Sequence, residues 1–183
     1  MCTIDGTPLE NVSKVKYLGI TISNSMDWID QTETAVNKSA RVLGMLKRCL
    51  KASTIQTKLT LYKTLIRPVL EYASCAWAPY KQAQIDMLEQ IQRRSVRWVA
   101  ALGRTDSVTE AMNHLAVQSL KQRRADRDLR VLEQMKNGEI DVNISEYYSQ
   151  NTSYNTRRNI IHLTTNKTQF TNSFIPRVTR LMN

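Results

Sequence analysis

Between about Gln31 and Gly138 the apolar residues recur every three to four positions, and the pattern restarts several times, each time after a turn or capping signal. That spacing places apolar side chains on one side of a helix, and a helix with one apolar stripe must bury it against a neighbour. A succession of such segments points to a helical bundle. Over about Gln31 to Lys51, Val36, Ala40, Leu43, Leu46 and Leu50 share a face, with Lys38, Arg41 and Arg48 roughly opposite. Ser53 is placed to cap the next helix. That helix carries Ile55, Leu59, Tyr62, Leu65, Ile66, Val69, Ala73 and Trp77, is apolar over much of its circumference, and is expected at the centre with Leu65 buried. Pro68 lies inside the pattern in register, which predicts a kink, and Ala78-Pro79 ends the segment. A third helix over about Gln82 to Leu102 has Ile85, Leu88, Ile91, Trp98, Val99 and Leu102 as its stripe, Arg93, Arg94 and Arg97 on its other side, and Gly103 as its stop. Ser107 opens a short helix to about Leu115 through a capping box with Glu110. Ser119 caps a last one, with Ala125, Leu129 and Leu132 inward, Arg123, Arg127 and Arg130 along another edge, and Asn137-Gly138 closing it.

The flanks read differently. Lys14 to Ser23 alternates as a strand, with Leu18, Ile20 and Ile22 pointing one way and Tyr17 and Thr21 the other. Gly19 interrupts it, as at a bulge or a close approach of another backbone. A hairpin this small is unstable alone and must pack on the helices. After Gly138, 20 of the 45 residues are Asn, Gln, Ser or Thr, which predicts a polar tail of loops and short extended pieces. The expected organisation is therefore mainly α: a β-hairpin over 1–24, a helical bundle over 25–138 and an irregular polar tail over 139–183.

Charge narrows the partners. The chain carries 26 Lys and Arg against 16 Asp and Glu, net +10, which favours a polyanion. Residues 93–183 hold 15 of the basic residues against 8 acidic ones, mostly as arginine, whose planar fork suits phosphate. No apolar run is long enough to span a membrane, and the first residues lack the basic and apolar regions of a signal peptide. Cys2, Cys49 and Cys75 fit neither a disulfide framework nor a zinc spacing and read as reduced thiols of an intracellular protein, nuclear or cytoplasmic. Catalytic patterns are missing. His114 and His162 stand alone, the five glycines make no phosphate loop, and Asp27 with Asp30 and Asp126 with Asp128 read as solvated or capping charges. No metal ligands and no catalytic residues are assigned.

The stretch Lys16-Tyr17-Leu18-Gly19-Ile20-Thr21-Ile22 resembles the Tyr-Leu-Gly segment that follows the palm in reverse transcriptases of non-LTR retrotransposons, LINE-like and especially jockey-type. The landmarks that follow keep that family's order. They include Trp28, the block Ala40 to Arg48, the block Leu61 to Ser74 with Arg67-Pro68, Trp77, Pro79 and Tyr80. After them come Leu88-Glu89, Ile91 to Arg94, Arg97-Trp98, Leu120 with Arg123-Arg124, and Ser173 to Arg177. The resemblance covers nearly the whole chain. At one position it departs: many relatives have a histidine a few residues after the tryptophan, where Gln31 stands here.

The resemblance implies a fragment of an RNA-directed DNA polymerase. Tyr17, Leu18 and Gly19 would correspond to the primer grip and the helices to the thumb, which lies along the template–primer duplex. The aspartates that hold Mg²⁺ in the parent polymerase would precede Met1, so the chain would be no enzyme on its own and would hold no cofactor. Its partners would be the missing palm domain and nucleic acid, an RNA–DNA hybrid or RNA. The residues assigned to the duplex backbone are Lys38, Arg41, Arg48, Arg93, Arg94, Arg97, Arg123, Arg124 and Arg127. Cations opposite an apolar stripe are also the ordinary dress of a soluble helix, and a helical protein-interaction or structural module with no nucleic-acid role is the alternative. In that case Leu18, Ile20 and Ile22 are the expected docking residues.

Overall fold

The computed structural model describes residues 12–142 and 171–182, together with the backbone of four short strands at 3–4, 7–8, 148–150 and 160–162. The chain is mainly helical, with an antiparallel β-hairpin near its N-terminus. In chain order the elements are β1 (Thr3–Ile4), β2 (Thr7–Pro8), β3 (Lys14–Tyr17), β4 (Ile20–Ser23), α1 (Ile29–Cys49), α2 (Ile55–Leu61) and a π-helical turn over Tyr62–Ile66. They continue with α3 (Arg67–Glu71), α4 (Gln82–Val99), α5 (Val108–His114), α6 (Leu120–Lys136), β5 (Tyr148–Gln150), β6 (Ile160–His162) and α7 (Phe174–Met182). No helix among the described residues is long and apolar enough to cross a membrane.

The alternating segment 14–23 is not one strand. It turns on itself at Leu18-Gly19, with Tyr17 paired to Ile20 and Lys14 to Ser23. Both turn residues have positive φ, 46° and 83°, the geometry whose twist suits a two-residue hairpin loop. The turn explains why Leu18 escapes the alternation: it is 72% exposed, while Ile20 is buried and Ile22 packs against the core. Only Leu18 of the three expected docking residues is therefore free. No other backbone approaches Gly19: a Cβ there would meet the Tyr72 ring at an ordinary 3.6 Å, and it is the positive φ of the turn that calls for glycine. The Tyr72 hydroxyl donates to the Leu18 carbonyl at 3.0 Å. On the other side of the hairpin, the buried Gln31 accepts the Thr21 amide on its Oε1 at 2.9 Å, fastening the outer edge of β4 to α1.

The main core lies between α1, the α2–π–α3 segment and α4, and draws on α5 and the start of α6. The α4 helix, in contact with α1, α2, α5 and α6, shares the centre with the preceding segment, which packs on both α1 and α4. That segment keeps its helical path through Pro68 by means of the π turn just before it. A proline has no amide to donate and its ring presses on the carbonyl four residues back, so a local widening of the helix accommodates it. The widened turn also resets the face. Tyr62, Ile66 and Leu70 are fully buried, whereas Leu65 is 42% exposed and the loss expected for a buried leucine does not apply to it. The cap before α2 is Thr54 rather than Ser53, its hydroxyl accepting from the Thr57 amide.

Two helices end earlier than their apolar spacing suggests, and both do so on alanine. The α3 helix stops at Glu71 and the chain enters a turn with Ala73 at φ 49°. The α4 helix stops at Val99, where Ala101 takes φ 51° and the Leu102 and Ala101 amides return to the Arg97 and Trp98 carbonyls. That is the reversal normally given to glycine, and Gly103 plays no part in it. Because alanine carries a Cβ penalty at positive φ, Ala101→Gly is expected to stabilise the chain by about 0.5–1 kcal/mol, read from the urea midpoint at unchanged slope. The starts at Ser107 and Ser119 and the stop at Gly138 follow expectation, with both hydroxyls accepting amides and Gly138 at φ 75°.

The α6 helix turns a different face inward from the one expected. Its buried line is Leu120, Arg124, Asp128 and Leu132, four residues apart, with Ala125 and Leu129 only half-buried beside it. Asp128 is thus no solvated charge: its Oδ2 accepts from Arg177 Nε at 2.8 Å. Arg177 belongs to α7, so part of the segment expected to be irregular is a helix, docked through Val178 on Leu132. The pairs β1–β2 and β5–β6 are the remaining described pieces of the flanks, and the rest of the tail expectation lies outside the described residues.

Candidate nucleic-acid interface

The residues assigned to a phosphate backbone divide into three groups in space. On α1, Arg41 and Arg48 flank a shallow groove whose floor is Ala40 and Gly44, and Lys38 is exposed one turn before. On α4, Arg93, Arg94 and Arg97 border a second depression, shared with Asp106 and Ser107. Arg94 points to solvent there with no partner among the described residues. Arg93 donates to the Thr109 hydroxyl at 3.2 Å, and Arg97 bonds the carbonyls of Gly103 and Arg104, bracing the loop beyond its own helix.

The third group, on α6, is mostly withdrawn from solution. Arg124 is 7% exposed, donates to the carbonyls of Leu70 (2.7 Å) and Trp77 (3.2 Å), and lies 4.3 Å over the Trp77 ring. Burial pushes its pKa down to about 10, so it remains a cation at neutral pH. It satisfies the Leu70 carbonyl at the C-terminal end of α3 and the Trp77 carbonyl beyond the turn that follows, and as a contact to an external duplex it is excluded. Arg123 is half-buried and gives both Nε and Nη2 to Glu71, whose carboxylate raises its pKa. Arg127 alone of the three is exposed. Trp77 is core, donating its indole N–H to the Tyr72 carbonyl at 2.7 Å.

The structure also brings together cations that lie outside these assigned residues. The C-terminal ends of α1 and α4 meet beside α2 around a cavity of about 500 Å³ lined by Lys47, Lys51, Lys58 and Arg97, with Leu50 and Trp98 among its walls. Lys58 buries its stem and holds its ammonium 5.8 Å from the Trp98 ring centre. No carboxylate lines this cavity. Arg97 belongs to this cavity and to the Arg93–Arg94 depression, while Arg48 lines the separate groove on α1. The cavity and the Arg93–Arg94 depression therefore join, through Arg97, into one basic band. Cations in the last turn of a helix offset its dipole, at about 0.3–1 kcal/mol each, which accounts for Lys47, Arg48 and Arg97 singly. It does not account for Lys51 and Lys58 converging on the same opening. The signal was present in the chain, where eight Lys or Arg and no acidic residue stand between Glu33 and Glu71.

Tyr17, Leu18 and Gly19 form the tip of the hairpin and are exposed. They are placed by Tyr72 and not by the basic band. Among the described residues no group of three His, Cys, Asp or Glu side chains is arranged to hold a metal ion. Compared with protein-family models, with curated proteins and with solved structures, the chain matches none.

Proposed function

We propose that the chain binds the sugar–phosphate backbone of duplex nucleic acid, RNA–DNA hybrid foremost, without reading sequence. In this reading it is the thumb-like part of a non-LTR retrotransposon reverse transcriptase, and polymerisation is left to carboxylates that it does not carry. The observation that carries the reading is the carboxylate-free cavity where Lys47, Lys51, Lys58 and Arg97 converge, continued through Arg97 to Arg93 and Arg94, with Arg41 and Arg48 along a separate groove on α1. Phosphates are met by charge and shape, and a surface that must accept any template needs nothing more. The protein-docking alternative keeps one support, the exposed apolar side chains of Val15, Tyr17 and Leu18 on the hairpin.

The test is fluorescence anisotropy on a random-sequence hybrid across a salt series. If three to five cations meet phosphates, log K falls with log salt at a slope of about −3 to −4.5. Lys47→Gln with Lys51→Gln, both exposed, is expected to make that slope shallower by up to about 1.8 and to weaken all sequences alike. An unchanged slope and affinity in the double variant would return these lysines to the role of helix-end charges and move the hairpin reading forward.

A further inference from the structure

A second cavity, of about 150 Å³, opens between the end of α3 and α6 and is lined by Glu71, Ser74, Arg123, Arg124, Arg127 and Arg130. Four guanidinium groups face it against one carboxylate, and that carboxylate is already taken by Arg123. Two of its lining groups are buried and unanswered. Ser74 is 1% exposed, and its hydroxyl has no hydrogen-bond partner; the Nε–H of Arg124 has none either. Folded proteins leave few buried polar atoms unpaired, because each costs about 1–3 kcal/mol. A guanidinium can only donate, so whatever completes Arg124 must accept.

Arg124 is fixed in place. Its two terminal nitrogens hold the Leu70 and Trp77 carbonyls and its plane rests on the Trp77 ring, which leaves Nε as its one nitrogen with no hydrogen bond. Arg127 has no partner among the described residues. Arg130 spends only its Nε, on the Asp126 carbonyl, leaving its terminal nitrogens open. A space of this size holds a group about as large as benzene, and so one tetrahedral oxyanion without an attached nucleoside. Three uncompensated cations match a doubly charged anion better than a singly charged carboxylate or an internal phosphodiester.

We infer that this cavity is a binding site for a phosphate dianion, either free phosphate or the terminal phosphate of a monoester. The site is separate from the basic band: none of Lys47, Lys51, Lys58 or Arg97 lines it. Its existence does not depend on the duplex-binding reading.

The experiment is calorimetric titration of the full chain at pH 8 and constant ionic strength with inorganic phosphate, with ribose 5-phosphate and with dimethyl phosphate. Arg127→Gln with Arg130→Gln removes two exposed charges without disturbing the core and is expected to weaken binding at least about tenfold. Ser74→Ala, which deletes an unpaired buried hydroxyl, is expected to leave the fold intact and to weaken binding by a smaller factor. The Lys47→Gln, Lys51→Gln variant should bind phosphate as the parent does, which separates this site from the duplex surface. Binding of both phosphate and ribose 5-phosphate assigns the site to a terminal phosphate, and binding of inorganic phosphate alone assigns it to the free ion. Binding of dimethyl phosphate as tightly as phosphate, no binding at all, or equal affinity in the Arg127, Arg130 variant would overturn the inference.

Discussion

Arg124→Ala should lower the unfolding free energy by about 3–5 kcal/mol. Two charge-assisted hydrogen bonds to buried carbonyls are lost, each worth about 1.5–3 kcal/mol, and the carbonyls of Leu70 and Trp77 lose their donor. The guanidinium also covers the Trp77 ring, so its removal opens space beside a fully buried side chain. Arg124→Lys should recover little, because one ammonium cannot span two carbonyls in the plane that the guanidinium fork serves. Chemical denaturation of parent and variants decides the point. A loss under about 1 kcal/mol for the alanine variant would mean that water reaches these carbonyls and that the turn after α3 is held by something else.

The partner of that effect is Trp77→Ala, for which a loss of about 3–5 kcal/mol is expected from burial alone. Trp77→Phe separates the contributions. It keeps most of the apolar area but gives up the 2.7 Å bond to the Tyr72 carbonyl, at about 1–2 kcal/mol. The two large losses should not add. Arg124 and Trp77 touch, and Arg124 bonds the Trp77 carbonyl, so the double variant should fall short of the sum by about 1 kcal/mol or more. Strict additivity in a double-mutant cycle would show that the ring and the guanidinium stabilise the turn independently.

What the sequence disclosed and what it concealed follow from how local each cause is. The capping serines 107 and 119 and the glycine after α6 are each settled within a few residues, and the structure has them as expected; of the α1 stripe Leu43 and Leu46 are buried, while Val36, Ala40 and Leu50 are half-buried beside Ala35 and Ser39. The ends of α3 and α4 were concealed because Ala73 and Ala101 adopt a backbone conformation that alanine does not advertise. The inward face of α6 was concealed because the partners of Arg124 and Asp128 are two carbonyls and a distant arginine. Carbonyls occur at every residue and leave no pattern. Leu65 was misplaced by a constant period of 3.6 carried across a turn that widens to admit Pro68. Of the candidate site, the exposed arginines of α1 and α4 were legible from their position opposite a stripe. Lys47, Lys51 and Lys58 acquire their meaning only when three helix ends meet. Gln31, set apart in the sequence as a departure from a histidine, proves to be one of the side chains that tie the hairpin to the bundle.

Arg177 reaches the Cys75 carbonyl across 102 positions at 3.1 Å and the Asp128 carboxylate across 49. During synthesis, at about 5–20 residues per second, roughly 2–10 s pass between the appearance of Asp128 and that of the arginine that neutralises it. Throughout that interval Asp128, on the inward face of α6, has Arg124 one turn away but lacks the arginine that hydrogen-bonds it. The bonds by which Arg177 ties α6 to the turn at Cys75 can therefore form only after every residue of the α1–α4 core has been made.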